Sequence, residues 1–251
     1  MRYAFLADIH ANLPALEAVL ADIDRRGDVD AVFHLGDLVG YGPWPNETVA
    51  LVRERGIAGV AGNYDSTSAV GHPHCGCRYD DPRQAELSAV SYAWTRARLS
   101  EETRRHLAVL PFRLDLRPGG GHVSGPRVLA FHAAPTVNTL YWTEDRPAEF
   151  CRRMAALAGA RAGDVMVFGH THVPWRREVD GVLLVNAGSV GRPKDGDWRA
   201  GYVIVDAAAG RPVAVEHVRV AYDVERVAEA ILERGLPPEF AGQLRAGGGG
   251  A

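Results

Sequence analysis

Side chains that bind metal ions recur along the sequence, directly after short apolar segments. They are Asp8, His10, Asp37, Asn63, His132, His170 and His172. This mixture of carboxylate, imidazole and amide donors suits divalent first-row metals, manganese foremost, with iron, zinc or nickel as alternatives. The set lacks the thiolates that mark a structural zinc site. The pattern therefore predicts a metal-dependent reaction centre.

Asp37 is the central residue of this set. The segment before it, Ala31–Leu35, is typical of a strand buried on both faces, and Gly36 allows the chain to turn as it leaves the sheet. Ligands bind at the carboxyl ends of strands in open α/β sheets, and a carboxylate there needs a cation or hydrogen bonds to compensate its desolvation. Because seven ligands are too many for one tetrahedral ion, we expect two ions that share Asp37 as a bridge.

The elements that must position these side chains alternate between strands and helices. Strands are predicted over Arg2–Ala7, Ala31–Leu35, Ile57–Val60, Phe112–Leu116, Arg127–Phe131, Asp164–Phe168, Trp175–Val179, Val182–Val185, Gly201–Val205 and Arg211–Arg219. Helices are predicted from Pro14 to Gly27, from an Asn46 cap to Gly56, around Leu87–Leu99 and Glu101–Leu110, and over Pro147–Leu157 and Val224–Glu233. Residues from Ser66 to Asp81 are expected to be irregular.

This order of elements predicts an α/β fold of two sheets with helices outside both, in which the last two strands close the second sheet. We expect one domain over residues 1–251, ending in a disordered glycine-rich tail from about residue 245.

Composition restricts the class of protein. The 251 residues are 47% hydrophobic and carry a formal net charge of -3, which gives no electrostatic reason to expect nucleic acid or an anionic membrane as a partner. The three cysteines are an odd number, and polar residues within Met1–Leu20 interrupt any signal-peptide core. We therefore expect a cytoplasmic protein without a disulfide framework. Its oligomeric state is left open.

The order of the motifs resembles one protein family. In sequence come Asp8-x-His10, Gly36-Asp37, Gly62-Asn63-x-Asp65, His132 after a strand, and Gly169-His170-x-His172. This set resembles the calcineurin-like metallophosphoesterase family, over roughly Met1 to Val205. The resemblance implies a four-layer α/β/β/α sandwich of two mixed sheets. It also implies that one metal ion is held by Asp8, His10, Asp37 and His172, and the other by Asp37, Asn63, His132 and His170.

The same resemblance implies a function. It indicates a dinuclear metal-dependent phosphoric ester hydrolase, a phosphodiesterase or phosphatase that cleaves a small phosphate ester through a hydroxide shared by the two ions. Two alternatives remain open, a metal-binding interaction scaffold with little catalysis and a nuclease. The charge balance and the absence of a basic, aromatic-rich segment disfavour the nuclease.

The sequence departs from the family at Tyr64. The usual motif reads Gly-Asn-His-Asp, and its histidine is thought to stabilise the phosphoryl group or protonate the leaving oxygen. Tyrosine, with an ordinary pKa of about 10, can donate a hydrogen bond but is a poorer acid at neutral pH. We expect Asp37, Asn63, Tyr64 and Asp65 to be the catalytic residues and esters with good leaving groups to be preferred. Asp65 either orients Tyr64 or a ligand, or is a turn residue.

Three further residues are candidates for contact with the substrate. Asn12 either reaches a phosphate oxygen or caps the helix that begins near Pro14. Arg192 either binds a second phosphate or is solvated. Tyr41 is a candidate wall for an aromatic group, as are Trp44, Tyr141 and Trp142, with buried packing as the alternative for each.

Two histidine-containing segments lie outside the motifs. His34 points away from the ligand edge and is assigned a structural role. The cluster His72-Pro-His74-Cys75-Gly-Cys77 is either a zinc site or a loop over the mouth of the active site, where His72 or His74 replaces the lost acid.

Overall fold

A computed structural model describes residues 1–79, 81–118, 125–207 and 212–248. The strands in these ranges are Arg2–Leu6 (β1), Ala31–His34 (β2), Ala58–Gly59 (β3), Arg113–Leu116 (β4), Val128–Phe131 (β5), Val165–Phe168 (β6), Trp175–Val179 (β7), Val182–Asn186 (β8), Ala200–Asp206 (β9) and Ala214–Val220 (β10). The helices are Leu13–Arg26 (α1), Pro45–Glu54 (α2), Asn63–Ala69 (α3), Pro82–Arg98 (α4), Glu101–Ala108 (α5), Ala148–Ala158 (α6), Val224–Glu233 (α7) and Glu239–Arg245 (α8).

The strands form two mixed five-stranded sheets, with orders β10, β9, β1, β2, β3 and β4, β5, β6, β8, β7. β1, β2 and β3 are parallel, as are β5, β6 and β8, while β9, β10, β4 and β7 pair with their neighbours in the antiparallel sense. The predicted ligands follow the carboxyl ends of β1, β2, β3, β5 and β6. The two mixed sheets of the prediction are confirmed.

Hydrophobic packing organises these elements into layers. Phe5 and Leu35 from the first sheet pack against Val128 and Val167 from the second, so the sheets face each other. A second cluster joins α1 and the C-terminal helices to the outer face of the first sheet, and a third joins α6 to the outer face of the second. The four-layer arrangement is therefore present as predicted. None of the helices in the described residues is long and apolar enough to cross a membrane.

α1 follows the sequence prediction closely. The Asn12 side chain accepts a hydrogen bond from Ala15 N at 3.2 Å, and Gly27 ends the helix in the left-handed conformation with φ 64°. Leu16, Val19 and Ile23 form its buried face. The predicted capping role of Asn12 is confirmed.

The placement of the last two strands was predicted wrongly. β9 pairs antiparallel with β1, and β10 pairs with β9, so both belong to the first sheet and not the second. The apolar pattern of β9 identifies a buried strand but carries no information about which sheet edge receives it. That choice is made by β1, whose side opposite β2 is free to pair.

Helix ends and short helices account for the other differences. Trp44, not Asn46, is the N-cap residue of α2; the Asn46 amide instead donates to Arg98 O at 2.8 Å and accepts from Ser100 N at 2.9 Å. The helices α3 and α8, of seven residues each, were not predicted. Periodicity is a weak signal over so few residues.

The first residues of the tail that was predicted to be disordered belong to an ordered segment. Arg245 is the last residue of α8, and Gly247 O accepts a hydrogen bond from Gly196 N at 2.9 Å. Residues 249–251 lie outside the described residues, so disorder there stays a prediction.

We predict that Gly36 is essential to the geometry of the turn before Asp37. Its φ is 86°, and a Cβ placed on it would lie 2.2 Å from Gly62 N. Gly36→Ala should therefore lower the free energy of unfolding by about 3 kcal/mol or more, from left-handed strain plus a backbone clash. Gly27→Ala is the matched control, because its φ is 64° but its Cβ would meet nothing within 4 Å, and it should cost about 1 kcal/mol. Urea denaturation followed by circular dichroism measures both; equal losses would contradict the prediction.

Candidate metal centre

The first group of ligand atoms is formed by Asp8, His10 and His172. His10 Nε2 lies 3.1 Å from His172 Nε2, and these atoms lie 3.8 and 3.4 Å from Asp8 Oδ1. All three side chains are buried. The loops after β1 and β6 thus bring together ligands that are 162 residues apart in the chain.

The second group is formed by Asp37, His132 and His170, whose ligand atoms lie within 4.8 Å of one another. His132 Nε2 is 3.1 Å from His170 Nδ1 and 3.6 Å from Asp37 Oδ2. Asn63 joins this group, because its Oδ1 lies 3.1 Å from His132 Nε2. The structure therefore divides the predicted ligands into the two sets that the family resemblance implied.

Asp37 lies between the two groups. Its Oδ2 is 3.7 Å from His10 Nε2 on one side and 3.6 Å from His132 Nε2 on the other. Its Oδ1 is occupied, since it accepts a hydrogen bond from Tyr64 N at 2.8 Å. The bridging role of Asp37 stays a prediction, and its position between the two groups is compatible with it.

Hydrogen bonds outside the centre determine which ring nitrogens face inward. His10 Nδ1 donates to Val39 O at 3.0 Å, His132 Nδ1 to Leu35 O at 2.8 Å and His172 Nδ1 to Arg192 O at 2.6 Å. A carbonyl can only accept, so in each neutral ring Nδ1 carries the proton and Nε2 presents a lone pair.

The inward-facing atoms are therefore acceptors without donors. His10 Nε2 and His172 Nε2 oppose each other at 3.1 Å, and Asp8 Oδ1 is buried without a hydrogen-bond partner among the described residues. Such a cluster is costly unless a cation compensates it. The residues present thus fit divalent metal ions.

The backbone at these ligands is in an uncommon conformation. Positive φ angles, from 49° to 67°, occur at Asp8, His10, Asp37, His170 and His172. Left-handed backbone in residues other than glycine costs of order 1–3 kcal/mol each and is often concentrated at functional sites. Two backbone hydrogen bonds, from Asp8 N to Gly36 O and from His10 N to Asp37 O, hold the strained loops against each other.

Burial dominates the electrostatics. Desolvation raises the pKa of Asp8 to about 6 and raises the pKa of Asp37 well above its ordinary value, with repulsion from Asp65 and Asp8 adding to the latter. Desolvation also lowers the pKa values of His10, His132, His170 and His172. Neutral histidines are the form that ligates metal.

The residues next to Asn63 have different roles from those predicted. The Tyr64 hydroxyl forms a hydrogen bond with Ser88 Oγ at 2.9 Å, and the side chain is 1% exposed. This geometry does not support Tyr64 as a donor to the substrate. The Asp65 carboxylate accepts from Leu38 N at 2.9 Å and Gly62 N at 3.0 Å, so it braces the loops on both sides of the bridge and does not orient Tyr64.

Arg192 and Tyr41 lie together beside the first group. The Arg192 guanidinium stacks over the Tyr41 ring at 4.2 Å and over Phe240 of α8 at 5.3 Å, and it donates to Gln243 Oε1. Its positive charge lowers the pKa values of His10 and His172. Arg192 is therefore close to the centre and is not a solvated surface residue.

The other aromatic candidates divide between wall and core. The Tyr141 ring lies 4.6 Å from the His170 ring and so borders the centre. Trp142 stacks on Phe168 at 4.5 Å in the third hydrophobic cluster, and Trp44 is buried in the second. Both tryptophans are therefore buried core residues and do not form a wall of the site.

The histidine and cysteine cluster does not form the zinc site that we considered. His72 and His74 are exposed, and His72 Nδ1 donates to His74 O at 3.0 Å. The candidate metal groups among the described residues are those around Asp8 and Asp37 and do not include this loop. His34 is buried and its Nδ1 accepts from Gly36 N, which agrees with a structural role.

Lys194 is the residue that sequence reasoning missed. Its positive charge acts on Asp8, His10, His170 and His172. Desolvation of the ammonium, followed by repulsion from Arg192, lowers the pKa of Lys194, although the residue as a whole is exposed. The available signal was that Lys194 is the sole lysine of the chain and follows the loop that carries Arg192.

Fold and site together define an α/β sandwich with a metal-binding centre at the carboxyl edges of its two sheets. The family model of the calcineurin-like phosphoesterase superfamily domain matches residues 1–210. The chain belongs to this superfamily, as the motifs implied.

Individual relatives agree with this assignment. An uncharacterized protein of Methanocaldococcus jannaschii is 32% identical in a match 249 residues long that covers 93% of this chain and 93% of its own. The crystal structure of a metallophosphoesterase from Sphaerobacter thermophilus is 31% identical with a TM-score of 0.75 and covers 98% of this chain and 100% of its own. A hypothetical protein from Pyrococcus horikoshii shares the fold, with a TM-score of 0.82 at 22% identity over 100% of this chain and 99% of its own.

We predict that metal ions stabilise the protein more at pH 7.5 than at pH 5. In the metal-free protein the raised pKa of Asp8, about 6 against an ordinary 3.8, means that stability is lost as pH rises through 6. The lowered histidine pKa values act in the other direction, because stability is lost as pH falls below the ordinary 6.5. Bound cations remove the cost of the ionised carboxylates and compete with protons at pH 5.

Scanning fluorimetry with and without manganese measures this difference. At saturation near 100 times the dissociation constant the stabilisation should approach about 2.7 kcal/mol at pH 7.5. A melting-point increase at pH 5 that equals or exceeds the one at pH 7.5 would contradict the prediction.

Proposed function

We propose that this protein is a metal-dependent phosphodiesterase or phosphatase that hydrolyses a small phosphate ester. The observation that carries the proposal is the position of Asp37 Oδ2, at nearly equal distances from His10 Nε2 and His132 Nε2. A carboxylate shared in this way suits two ions of the kind that superfamily members use. Manganese is the proposed metal, with iron, zinc or nickel as alternatives.

Different side chains would have different roles in such a reaction. Asp8, His10, Asp37 and His172 would hold one cation, and Asp37, Asn63, His132 and His170 the other. Bound divalent cations supply a water of lowered pKa and neutralise charge on phosphate oxygens. Arg192 adds a fixed positive charge on the same side, and Lys194 adds another when its ammonium is protonated, which favours an anionic substrate.

The surroundings favour a small substrate. The space beside His10 that Tyr41, Arg192 and Phe240 line is only about 10 Å³, so α8 closes that side of the centre. α8 lies beyond the residues that match the family model. With a net charge of -3, a long nucleic acid strand remains the disfavoured partner. A cytoplasmic location stays a prediction from the sequence.

The test of this proposal is hydrolysis of a bis-aryl phosphodiester in the presence of manganese. Asp37→Asn should reduce turnover by at least about 1000-fold, because it removes the shared charge. Asp180→Asn is the matched control: this exposed aspartate has φ 49°, against 51° for Asp37, and lies far along the chain in the β7–β8 turn. Its activity should be unchanged.

Other results would favour the alternatives. Full metal binding without cleavage of any ester in a panel of aryl, alkyl and anhydride substrates would indicate an interaction scaffold. Preferential cleavage of single-stranded nucleic acid in the same panel would indicate a nuclease.

We further predict that leaving-group protonation is weak. The family's histidine is replaced by Tyr64, whose hydroxyl is bound to Ser88. Tyr64→His should raise turnover of alkyl esters relative to aryl esters by about 10-fold or more, since general acid catalysis contributes typically 10²–10⁴-fold. Tyr64→Phe is the control and should leave the alkyl-to-aryl ratio unchanged. A ratio that is the same in all three proteins would refute this idea.

A further inference from the structure

The segment Cys75-Gly76-Cys77 lies against the ligand Asn63. Asn63 Nδ2 donates to Cys75 O and to Cys77 Sγ, both at 3.1 Å. These two hydrogen bonds leave Oδ1 facing His132 Nε2 at 3.1 Å. The cysteine segment therefore determines which way the Asn63 amide points.

The two cysteines are also in direct contact. Cys77 N donates to Cys75 Sγ at 3.4 Å. Gly76, between them, has φ 79°, a conformation that brings the flanking residues together and that other residues rarely adopt. Cys75 is buried and Cys77 is partly exposed, so a small oxidant reaches the pair through Cys77.

We propose that Cys75 and Cys77 form a reversible disulfide that controls the Asn63 side of the metal centre. The pair meets the requirements for such a site: a Cys75 thiol in contact with the backbone N–H of Cys77, a glycine that permits the small ring, and partial access for an oxidant. The third cysteine, Cys151, is buried in α6 with its thiol directed to Arg146 O and belongs to the third hydrophobic cluster, so it takes no part.

The oxidant is a hydroperoxide. One thiol sulfur, as thiolate, attacks the peroxide oxygen to form a sulfenic acid, and the O–O bond breaks to release an alcohol or water. The other thiolate then attacks the sulfenic sulfur, the S–S bond forms, and hydroxide leaves and takes up a proton as water. In total two thiols lose two protons and two electrons, which reduce the peroxide to an alcohol, or water, and a water molecule. A dithiol reverses the change by thiol exchange.

The disulfide acts on metal binding through Asn63. To bond with Cys75, the Cys77 sulfur must turn toward Cys75, and Asn63 Nδ2 then loses one of its two acceptors. Loss of a hydrogen bond that orients a metal ligand typically costs 10–100-fold in metal affinity. We therefore expect oxidation to lower the affinity of the protein for the more weakly bound manganese ion by at least about 10-fold. Any effect on hydrolysis rests on the proposed function, whereas the thiol chemistry and the metal affinity do not.

The experiment oxidises the full-length protein with hydrogen peroxide, blocks the remaining thiols in denaturant with iodoacetamide, and counts the alkyl groups by mass spectrometry. Wild type should carry three alkyl groups when reduced and one when oxidised, because three cysteines are present. The tryptic peptide Gly56–Arg78, which contains both residues, should carry no alkyl group after oxidation and should be about 2 Da lighter than the same peptide reduced and left unalkylated. Dithiothreitol should restore it.

Variants connect this chemistry to the metal centre. Cys151→Ser is the matched control and should keep both the disulfide and its effect on manganese affinity, measured by competition with a fluorescent chelator. Cys77→Ser should form no disulfide, and its manganese affinity should not respond to brief peroxide treatment, with the peroxide removed by catalase in this variant and in wild type alike. Should Cys77→Ser fail to fold, the wild-type peptide map and affinity still decide.

Three results would overturn the proposal: three alkylatable thiols after oxidation, a disulfide that joins two protein molecules instead of this pair, or a Cys75–Cys77 disulfide with unchanged manganese affinity. An inactive enzyme that nevertheless shows the disulfide and the affinity change would refute the proposed function alone.

Discussion

The structure depends on one electrostatic constraint, the presence of buried acceptor atoms that face each other without donors. Asp8 and Asp37 are carboxylates desolvated to the point that both pKa values rise. The imidazoles beside them present lone pairs, because their other nitrogens donate to backbone carbonyls. Cations relieve both conflicts at once. The other contacts of the site hold these side chains together despite the repulsion between their acceptor atoms.

Support for the centre comes from both sheets. His132 follows a strand of the second sheet but donates to Leu35 O at the end of a strand of the first. Left-handed backbone at the ligand loops is offset by the hydrogen bonds between those loops and by the hydrophobic layer between the sheets. Asp65 contributes by accepting two backbone amides beside the bridge. A change in the packing of the sheets is thus transmitted directly to the ligand geometry.

Much of this arrangement follows from local sequence patterns. The spacing of Leu16, Val19 and Ile23, with a polar cap before and a glycine after, determined α1 correctly. The Asp180-Gly181 turn between apolar strands determined the β7–β8 hairpin. Asn46 was misassigned because its side chain satisfies a distant loop instead of its own helix. The sheet that receives β9 was misassigned because an apolar strand pattern is the same at any edge.

By itself the sequence determined the kinds of ligand, their order and the strand ends that carry them, since strands, turns and metal donors are properties of short segments. Tertiary structure alone decided what lies around them. It bound the Tyr64 hydroxyl to Ser88, placed Arg192 between Tyr41 and α8, brought the charge of Lys194 to the centre and set the Cys77 thiol against Asn63. Each of these contacts joins segments whose separation in space depends on how the whole chain packs, and no local pattern encodes that distance.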